Sequence, residues 1–456
     1  MGGVIVSPKA GRTNIAHRVE RLPASSYQFF TAGLILLAWF FESIDLGGIG
    51  YLMPVLAKEF NIDPATLGMM GSMSFVGMLV GAMASGILAD RFGRKRLLVA
   101  AMIFWGVCGV LLANAWSVES LFVFRFLLGL GLGAQAPVAI TLLSEFVPSK
   151  ARAKYITAYM AFMPLGYVAA GLISYFFLPL VNWRGVFLIE ALPCLWALMI
   201  WKFMPESVFW LESKGRYSEA DSVMSQIEKN VEKNTGVPLP PVEAPLVKGL
   251  GQAPAEAAEL SPIRELFSRQ YIITLVMIAI WWPAALAGLY GLSTWLSALM
   301  VAKGFTITKS IAYVSVITLG GVLPVFLMRY LVDKIGRKWS VVLMALATAV
   351  TAYIYGNANT MTGIIITGLI YNFCLYGAGM VNQVYTPELF PTRLRGTGVG
   401  FANSVGRIGG IVGPMAAGFI MASYGFTAVF LFGAAVYLLY AIVVALLGYE
   451  TKGKVF

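Results

Sequence analysis

Residues 86–96 read Gly-Ile-Leu-Ala-Asp-Arg-Phe-Gly-Arg-Lys-Arg, and residues 331–338 read Leu-Val-Asp-Lys-Ile-Gly-Arg-Lys. Asp90, Gly93, Arg94 and Lys95 thus return as Asp333, Gly336, Arg337 and Lys338, each 243 residues later. The same shift of 243 carries Glu145 onto Glu388, Pro148 onto Pro391 and Arg152 onto Arg395. One constant displacement over two separate loops implies a duplicated unit. Both copies of the basic stretch lie between long apolar runs, so the duplicated unit is a set of membrane spans.

Working outward, apolar runs near the ~20 residues that a span requires occur at 28–53, 66–88, 97–115, 119–143, 156–178, 185–204, 271–295, 308–331, 339–357, 360–384, 397–420 and 425–448. The expected architecture is an all-α polytopic membrane protein with twelve transmembrane helices in two pseudo-symmetric six-helix bundles. The bundles occupy 28–204 and 271–448, joined by a linker at 205–270 and flanked by tails at 1–27 and 449–456. The linker opens with an amphipathic charged segment, Glu212 to Lys233, and continues into Pro/Ala-rich sequence, a short surface helix and then a spacer. Composition agrees: of 456 residues 59% are apolar and 12% charged, against about 25% charged in a soluble domain.

The surplus of 33 Lys+Arg over 22 Asp+Glu collects in short gaps between spans. It is not interleaved with a polar face that could lie on nucleic acid, which excludes that partner. Arg91, Arg94, Lys95, Arg96, Lys150, Arg152, Lys154, Lys334, Arg337, Lys338, Arg393 and Arg395 fall in one set of alternate gaps. The other set holds Lys58, Arg184, Lys303 and Lys309. The positive-inside rule therefore places the first set, both termini and the linker in the cytoplasm. Cys108, Cys194 and Cys374 lie inside apolar runs without metal or disulfide spacing, and residues 1–27 contain no apolar signal-peptide core.

The loop at 86–96 resembles the signature between spans 2 and 3 of the major facilitator superfamily, and residues 331–338 its weaker copy. Further stretches are similar to subgroups of that family. Pro205-Glu206-Ser207, Trp210-Leu211 and Gly215-Arg216 resemble sugar porters. Arg125-Phe-Leu-Leu-Gly129-Leu-Gly131-Leu-Gly133 in span 4 is a further match to the family, and Pro387-Glu388-Leu-Phe-Pro391-Thr-Arg393-Leu-Arg395 with Gly406-Arg407-Ile-Gly409-Gly410 looks like the aromatic-acid and metabolite:H+ symporter branch. The resemblance implies alternating access of a central site, import of a small solute into a bacterium across its inner membrane, and no enzymatic activity, cofactor or obligate protein partner. A monomer suffices, and protons are the coupling ion.

Asp90, Arg94, Glu145 and Arg152 in one half, and Asp333, Arg337, Glu388 and Arg395 in the other, are candidates for a cytoplasmic gate. Arg94 and Arg152 can meet Glu145, Arg337 and Arg395 can meet Glu388, and Asp90 can cap a helix.

Charges inside the spans carry more information, because a mid-membrane charge costs about 2.5–3.5 kcal/mol or more. Glu42 and Asp45 share a face of span 1, and Arg125 lies in span 4; shifted by 243 they become Ala285, Gly288 and Gly368. The fold's own copy does without these charges, which points to function. His17 in the tail is the lone histidine, so a proton carrier must be a carboxylate. Burial disfavours its ionised form, and an approaching arginine favours it. Asp45, Glu42 and Arg125 are accordingly the expected proton-coupling residues. The aromatic-acid branch resembles this with Asp-Gly-x-Asp, where this chain has Glu42-Ser43-Ile44-Asp45.

Arg407, whose repeat position is Pro164, is the expected anchor for a substrate carboxylate. Trp281, Trp282, Tyr290, Tyr371, Asn372, Tyr376, Asn382, Gln383 and Gln135 are candidate cavity wall, offering aromatic faces and a few amides to a flat solute. Glu190 is expected to be structural. The leading expectation is a proton-coupled symporter importing a small organic acid, aromatic or a related carboxylate metabolite. A sugar or polyol porter stands second, supported by the Pro-Glu-Ser segment and by Glu450-Thr-Lys-Gly453, with a passive uniporter and a transporter-like receptor behind it.

Overall fold

A computed structural model describes residues 15–241, 262–391 and 393–453. Lys9, Arg12 and the Pro/Ala-rich spacer from 242 onward lie outside the described residues. The chain runs α1 Ile15–Glu20, α2 Ser26–Glu59, α3 Pro64–Phe92, α4 Arg94–Ala113, α5 Val118–Phe146, α6 Ser149–Ala191, α7 Trp196–Phe203, α8 Val208–Ser213 and α9 Tyr217–Thr235. It continues with α10 Pro262–Leu266, α11 Ile272–Ala302, α12 Ile307–Thr318, α13 Val322–Ile335, α14 Arg337–Gly356, α15 Met361–Glu388, α16 Arg395–Tyr424 and α17 Phe426–Leu447.

Helix starts follow local chemistry. Ser25 accepts from the Gln28 N–H, Asp63 from those of Ala65 and Thr66 ahead of Pro64, and Ser117 forms a capping box with Ser120. The two motif glycines, Gly93 and Gly336, have φ of 103° and 100°. They turn α3 into α4 and α13 into α14 in a region that side-chain-bearing residues avoid.

Eleven helical runs among the described residues are long and apolar enough to cross a membrane. One of them, Lys154–Phe203, has 50 residues, more than twice the ~20 that a crossing needs. It is interrupted at Asn182, with φ 54° and ψ −175°. Asn182 Oδ1 accepts from the N–H of Arg184 at 2.9 Å and of Gly185 at 3.4 Å, as a helix N-cap does. The Arg184 guanidinium reaches the Ala115 carbonyl at 3.2 Å and Glu59 at 3.5 Å, which puts the break level with the ends of α2 and α4. The twelve-span reading rests on this break, since the two flanking segments form a continuous helix on either side of one residue.

In the first half α3 and α4 pack on α5, and α2 on α6; in the second α11 packs on α16 and α17, and α14 on α15 and α17. The repeat extends into packing. A Cβ at Gly77 would lie 2.1 Å from the Phe126 carbonyl oxygen, and one at Gly320 would lie 2.3 Å from that of Leu369. Both glycines and both carbonyls are related by the shift of 243. The halves meet where α3 faces α16, α2 faces α11 and α6 faces α12.

The face carrying the motif loops, here the basic face, holds a duplicated polar network. Glu206 accepts from the Lys95 N–H at the start of α4, and Glu450 from the Arg337 N–H at the start of α14, each at 2.8 Å. Ser207 Oγ donates to Glu145 and Thr451 Oγ1 to Glu388, each at 2.6 Å. Arg94 pairs with Glu145, and Arg337 Nε with Glu388 at 3.0 Å.

Four expectations are corrected here. Among the described residues Asp90 does not cap α4, where Glu206 occupies that place, and it interacts electrostatically with Arg94. Arg395 donates to the Pro387 carbonyl at 3.2 Å rather than to Glu388. Arg152 makes no ion pair with Glu145 among the described residues, and its Nε is buried without a partner. Asp333 meets Arg337 loosely, at 3.5 Å. Among its described residues the linker holds three helices, α8, α9 and the short α10, instead of one. Ala220, Met224, Ile227 and Val231 form the buried stripe of α9, and α1 docks beside it through Arg18, which bonds Asp221 at 2.5 Å and Glu228 at 2.7 Å.

Candidate functional site

The charges predicted within the spans converge on two buried centres. The first is enclosed in the first half. Arg125 Nη1 lies 3.9 Å from Asp45 Oδ2, an ion-pair contact too long for a hydrogen bond. Both residues are almost wholly buried. Glu190, from the helical stretch after Asn182, joins them: it interacts electrostatically with both Asp45 and Arg125. Its carboxylate lies against Gly48, where a Cβ would stand 2.2 Å from Oε1. Neither Glu190 oxygen, nor Asp45 Oδ2, nor Arg125 Nε or Nη1 has a hydrogen-bond partner. Buried charges left this loosely satisfied are expensive, and two acids here share one cation.

The second centre lies between the halves. Gln135 on α5 is fixed at three points: its Oε1 accepts from Trp105 Nε1 at 2.9 Å, and its Nε2 donates to the Ala38 carbonyl at 2.9 Å and to Glu42 Oε2 at 2.8 Å. Glu42 Oε1 is buried without a partner. Arg407 on α16 belongs to the opposite half; it interacts electrostatically with Glu42, Tyr290 and Tyr159. It makes no ion pair or hydrogen bond among the described residues. Aromatic rings flank it. Tyr290 packs on Phe75 with centroids 4.4 Å apart, and Trp39 stacks on Tyr159 at 4.5 Å and 18°.

The α16 stripe that carries Arg407 shows where this centre opens. Away from the basic face, Gly410 would touch Phe75 and Tyr290, and a Cβ at Gly68 on α3 would stand 2.7 Å from the Pro414 carbonyl oxygen. Toward the basic face, Gly396 and Gly400 have no neighbour within 4 Å, and Asn403 is exposed. Gly86 on α3 and Gly379 on α15 are equally uncovered. The far side is shut by close backbone approach, Gly50 against Thr294, and by a 2.6 Å hydrogen bond from Ser72 Oγ to the Ile411 carbonyl. A small hydroxyl-lined cavity remains there, bounded by Tyr51, Tyr167, Ser297, Thr318, Asn372 and Tyr376.

Of the expected wall residues, Tyr290 flanks Arg407, Gln135 holds Glu42, and Asn372 and Tyr376 line the hydroxyl cavity. Gln383 lies one turn beyond Gly379, half-buried. Trp281 is instead stacked on Tyr440 at 6.0 Å and beside Tyr385. Tyr371 stacks on Tyr355, and Asn382 accepts from the Tyr440 hydroxyl. Trp282 Nε1 donates to Thr386 Oγ1 at 3.0 Å. These four belong to packing within the second half. Glu190, expected to be structural, stands beside the Asp45–Arg125 pair, and Trp39 and Tyr159 were not anticipated. Trp39 precedes Glu42 by three residues and so shares its face, but no sequence signal brings Tyr159 to it.

The sequence profile described as "Major Facilitator Superfamily" matches residues 35–409 and 318–455. The chain belongs to the Major Facilitator Superfamily. Among relatives of this major facilitator, the niacin transporter NiaP of Acinetobacter baylyi is 35% identical over 442 residues, covering 97% of this chain and 98% of the relative. The 4-hydroxybenzoate transporter PcaK of Pseudomonas putida is 31% identical over 401 residues, 87% of this chain and 86% of the relative. The inward-open xylose transporter XylE of E. coli shares the fold, with a TM-score of 0.71 at 18% identity over 94% of this chain and 98% of that one. This major facilitator is a multi-pass membrane transporter and not an enzyme.

Proposed function

We propose that the protein is a proton-coupled symporter importing a small aromatic carboxylate of the nicotinate or hydroxybenzoate type. The observation that carries this reading is Arg407: a cation inside a span, beside Tyr290 and Tyr159, next to the uncovered stretch of α16, and without an ion pair or hydrogen bond among the described residues. A flat carboxylate supplies what is missing, with the ring between Tyr290, Phe75, Tyr159 and Trp39. The names of the relatives support the same class of solute. Proton coupling rests on Glu42, Asp45 and Arg125, extended by Glu190, because acids in excess of cations in a dry interior must hold protons.

The segments that resemble sugar porters, Glu206-Ser207 and Glu450-Thr451, cap α4 and α14 and bond Glu145 and Glu388, so they carry no information about the solute. With the basic face cytoplasmic, the conformation described here is open inward and closed outward.

Proteoliposomes test the proposal. Nicotinate, 4-hydroxybenzoate, benzoate and a neutral sugar are offered with and without an inward proton gradient to wild type, Asp45→Asn and Arg407→Ala. Gradient-driven accumulation of an aromatic acid is expected, lost in Arg407→Ala. Asp45→Asn is expected to keep counterflow exchange but lose accumulation. Accumulation of the sugar alone, or uptake indifferent to the gradient, would sink the reading.

A further inference from the structure

The two centres carry different charge. Within the spans the acids of the two centres are Glu42, Asp45 and Glu190, and the cations are Arg125 and Arg407. Asp45, Glu190 and Arg125 form one group: two carboxylates around one guanidinium, all almost wholly buried. A low-dielectric interior does not tolerate the leftover negative charge, so that group holds one proton whether or not solute is present. Glu42 and Arg407 form the other group, one acid and one cation facing each other from opposite halves, and it balances when empty.

A carboxylate entering the second group upsets that balance. The solute takes the face of Arg407, which until then served Glu42 alone among cations. Glu42 cannot turn elsewhere: Gln135 is committed at all three of its hydrogen-bonding contacts, and Glu42 Oε1 has no partner. The groups facing Glu42 from the surrounding elements are Arg407 from α16, Tyr159 from α6, Tyr290 from α11 and Gln135 from α5, with Asp45 on its own helix. None of these supplies a second positive charge. Arg125 is taken by Asp45 and Glu190.

We infer that Glu42 is the site at which substrate and proton binding become one event: the substrate carboxylate takes over Arg407, and Glu42 takes up a proton at its buried, unpartnered oxygen. Asp45 with Glu190 and Arg125 then has a separate task, holding the proton whose release or retention accompanies reorientation. This assignment rests on the carboxylate reading above and divides its labour between two residues three positions apart. The balance is simple: one anion and one proton enter, and the buried site gains no net charge.

Proton uptake on binding distinguishes the two centres without any transport. Purified protein in weakly buffered detergent solution, with a pH indicator, is mixed with nicotinate or with 4-hydroxybenzoate. Wild type is expected to take up about one proton per molecule bound, and its affinity to tighten about tenfold per pH unit of acidification around neutrality. Asp45→Asn is expected to keep this uptake. Glu42→Gln is expected to bind the acid, take up no proton and lose the pH dependence. Uptake that survives in Glu42→Gln, or disappears in Asp45→Asn, overturns the inference, as does pH-independent affinity in wild type. If wild type binds neither acid, the carboxylate reading itself falls, a separate result seen before any variant is made.

Discussion

Gly379 and Gly409 stand on neighbouring helices and answer to different constraints. A Cβ on Gly409 would fall 1.9 Å from the Pro283 carbonyl oxygen, where only backbone movement could relieve it, whereas Gly379 has nothing within 4 Å. Gly409→Ala must therefore part α11 from α16, at about 1–3 kcal/mol by the usual cost of overpacking. Gly379→Ala borders the groove and should shift stability by less than about 0.5 kcal/mol. Thermal unfolding in detergent checks the pair, and equal melting temperatures for the two variants would show that the α11–α16 contact is not as close as described. Nothing in the local sequence tells these glycines apart, since the difference lies in what another helix brings opposite. Charges are easier to read. Glu42, Asp45, Arg125 and Arg407 stood out because each is costly in a span and absent from its repeat position. Glu190 did not, because its nearness to the outer end of a span gave it an ordinary explanation, and its approach to Gly48 is a tertiary fact. Aromatic residues were least legible: Trp281, Tyr371 and Tyr290 have the same composition signal, and only helix rotation turns the first two into the core and the third toward Arg407.

At the scale of elements, the helix starts on the basic face are held by acids contributed from distant sequence. Glu450 lies beyond α17 and receives α14. Burial acts to raise its protonation, but N–H donors from Lys452, Arg337, Thr451 and Lys338 outweigh it and hold the carboxyl below the usual carboxylate range. A depressed folded-state value means that the cap's contribution is complete above the unfolded value of about 4.3 and fades as pH falls through the lower folded one. Glu450→Gln should cost roughly 0.5–1 kcal/mol, as a lost cap and helix-dipole partner does. The gap in melting temperature from wild type should be constant from neutral pH to about pH 5 and close below about pH 4. A gap that widens on acidification would contradict this assignment. The repeated loops were legible as a repeat, down to Arg94–Glu145 and Arg337–Glu388. Their caps were not, because Glu206 and Glu450 follow a shift of 244 rather than 243 and so escaped the register that revealed the rest. The α6 break is the opposite case: Asn182 falls in the gap expected between 178 and 185, and one asparagine at positive φ does the work of a loop there.

At the scale of the whole molecule, a single stripe of α16 reports which side is open. Pro414 and Gly410 are pressed against α3, and Arg407 is at the boundary. Asn403, Gly400 and Gly396 are uncovered toward the basic face. Closing that end requires this part of the stripe to find the covering its outer part already has. Opening the other end requires the small-residue contacts at Gly50, Gly68 and Ser72 to part. Both movements follow from rotating one half against the other about the level of Arg407, which is what alternating access between pseudo-symmetric bundles demands. Thiol labelling separates the two ends and tests the orientation together. In a background with Cys108, Cys194 and Cys374 replaced, Asn403→Cys should react with a membrane-impermeant maleimide in inside-out vesicles and not in right-side-out ones, as the positive-inside rule expects of the face that carries the basic loops. Ser297→Cys, 1% exposed beside the outer cavity, should be unreactive from both sides in the conformation described here. It should become reactive from the outside alone when conditions favour the outward-open form. An Asn403→Cys that labels from the outside would invert the orientation, and a Ser297→Cys that labels from the cytoplasmic side would mean the boundary at Arg407 does not divide the path.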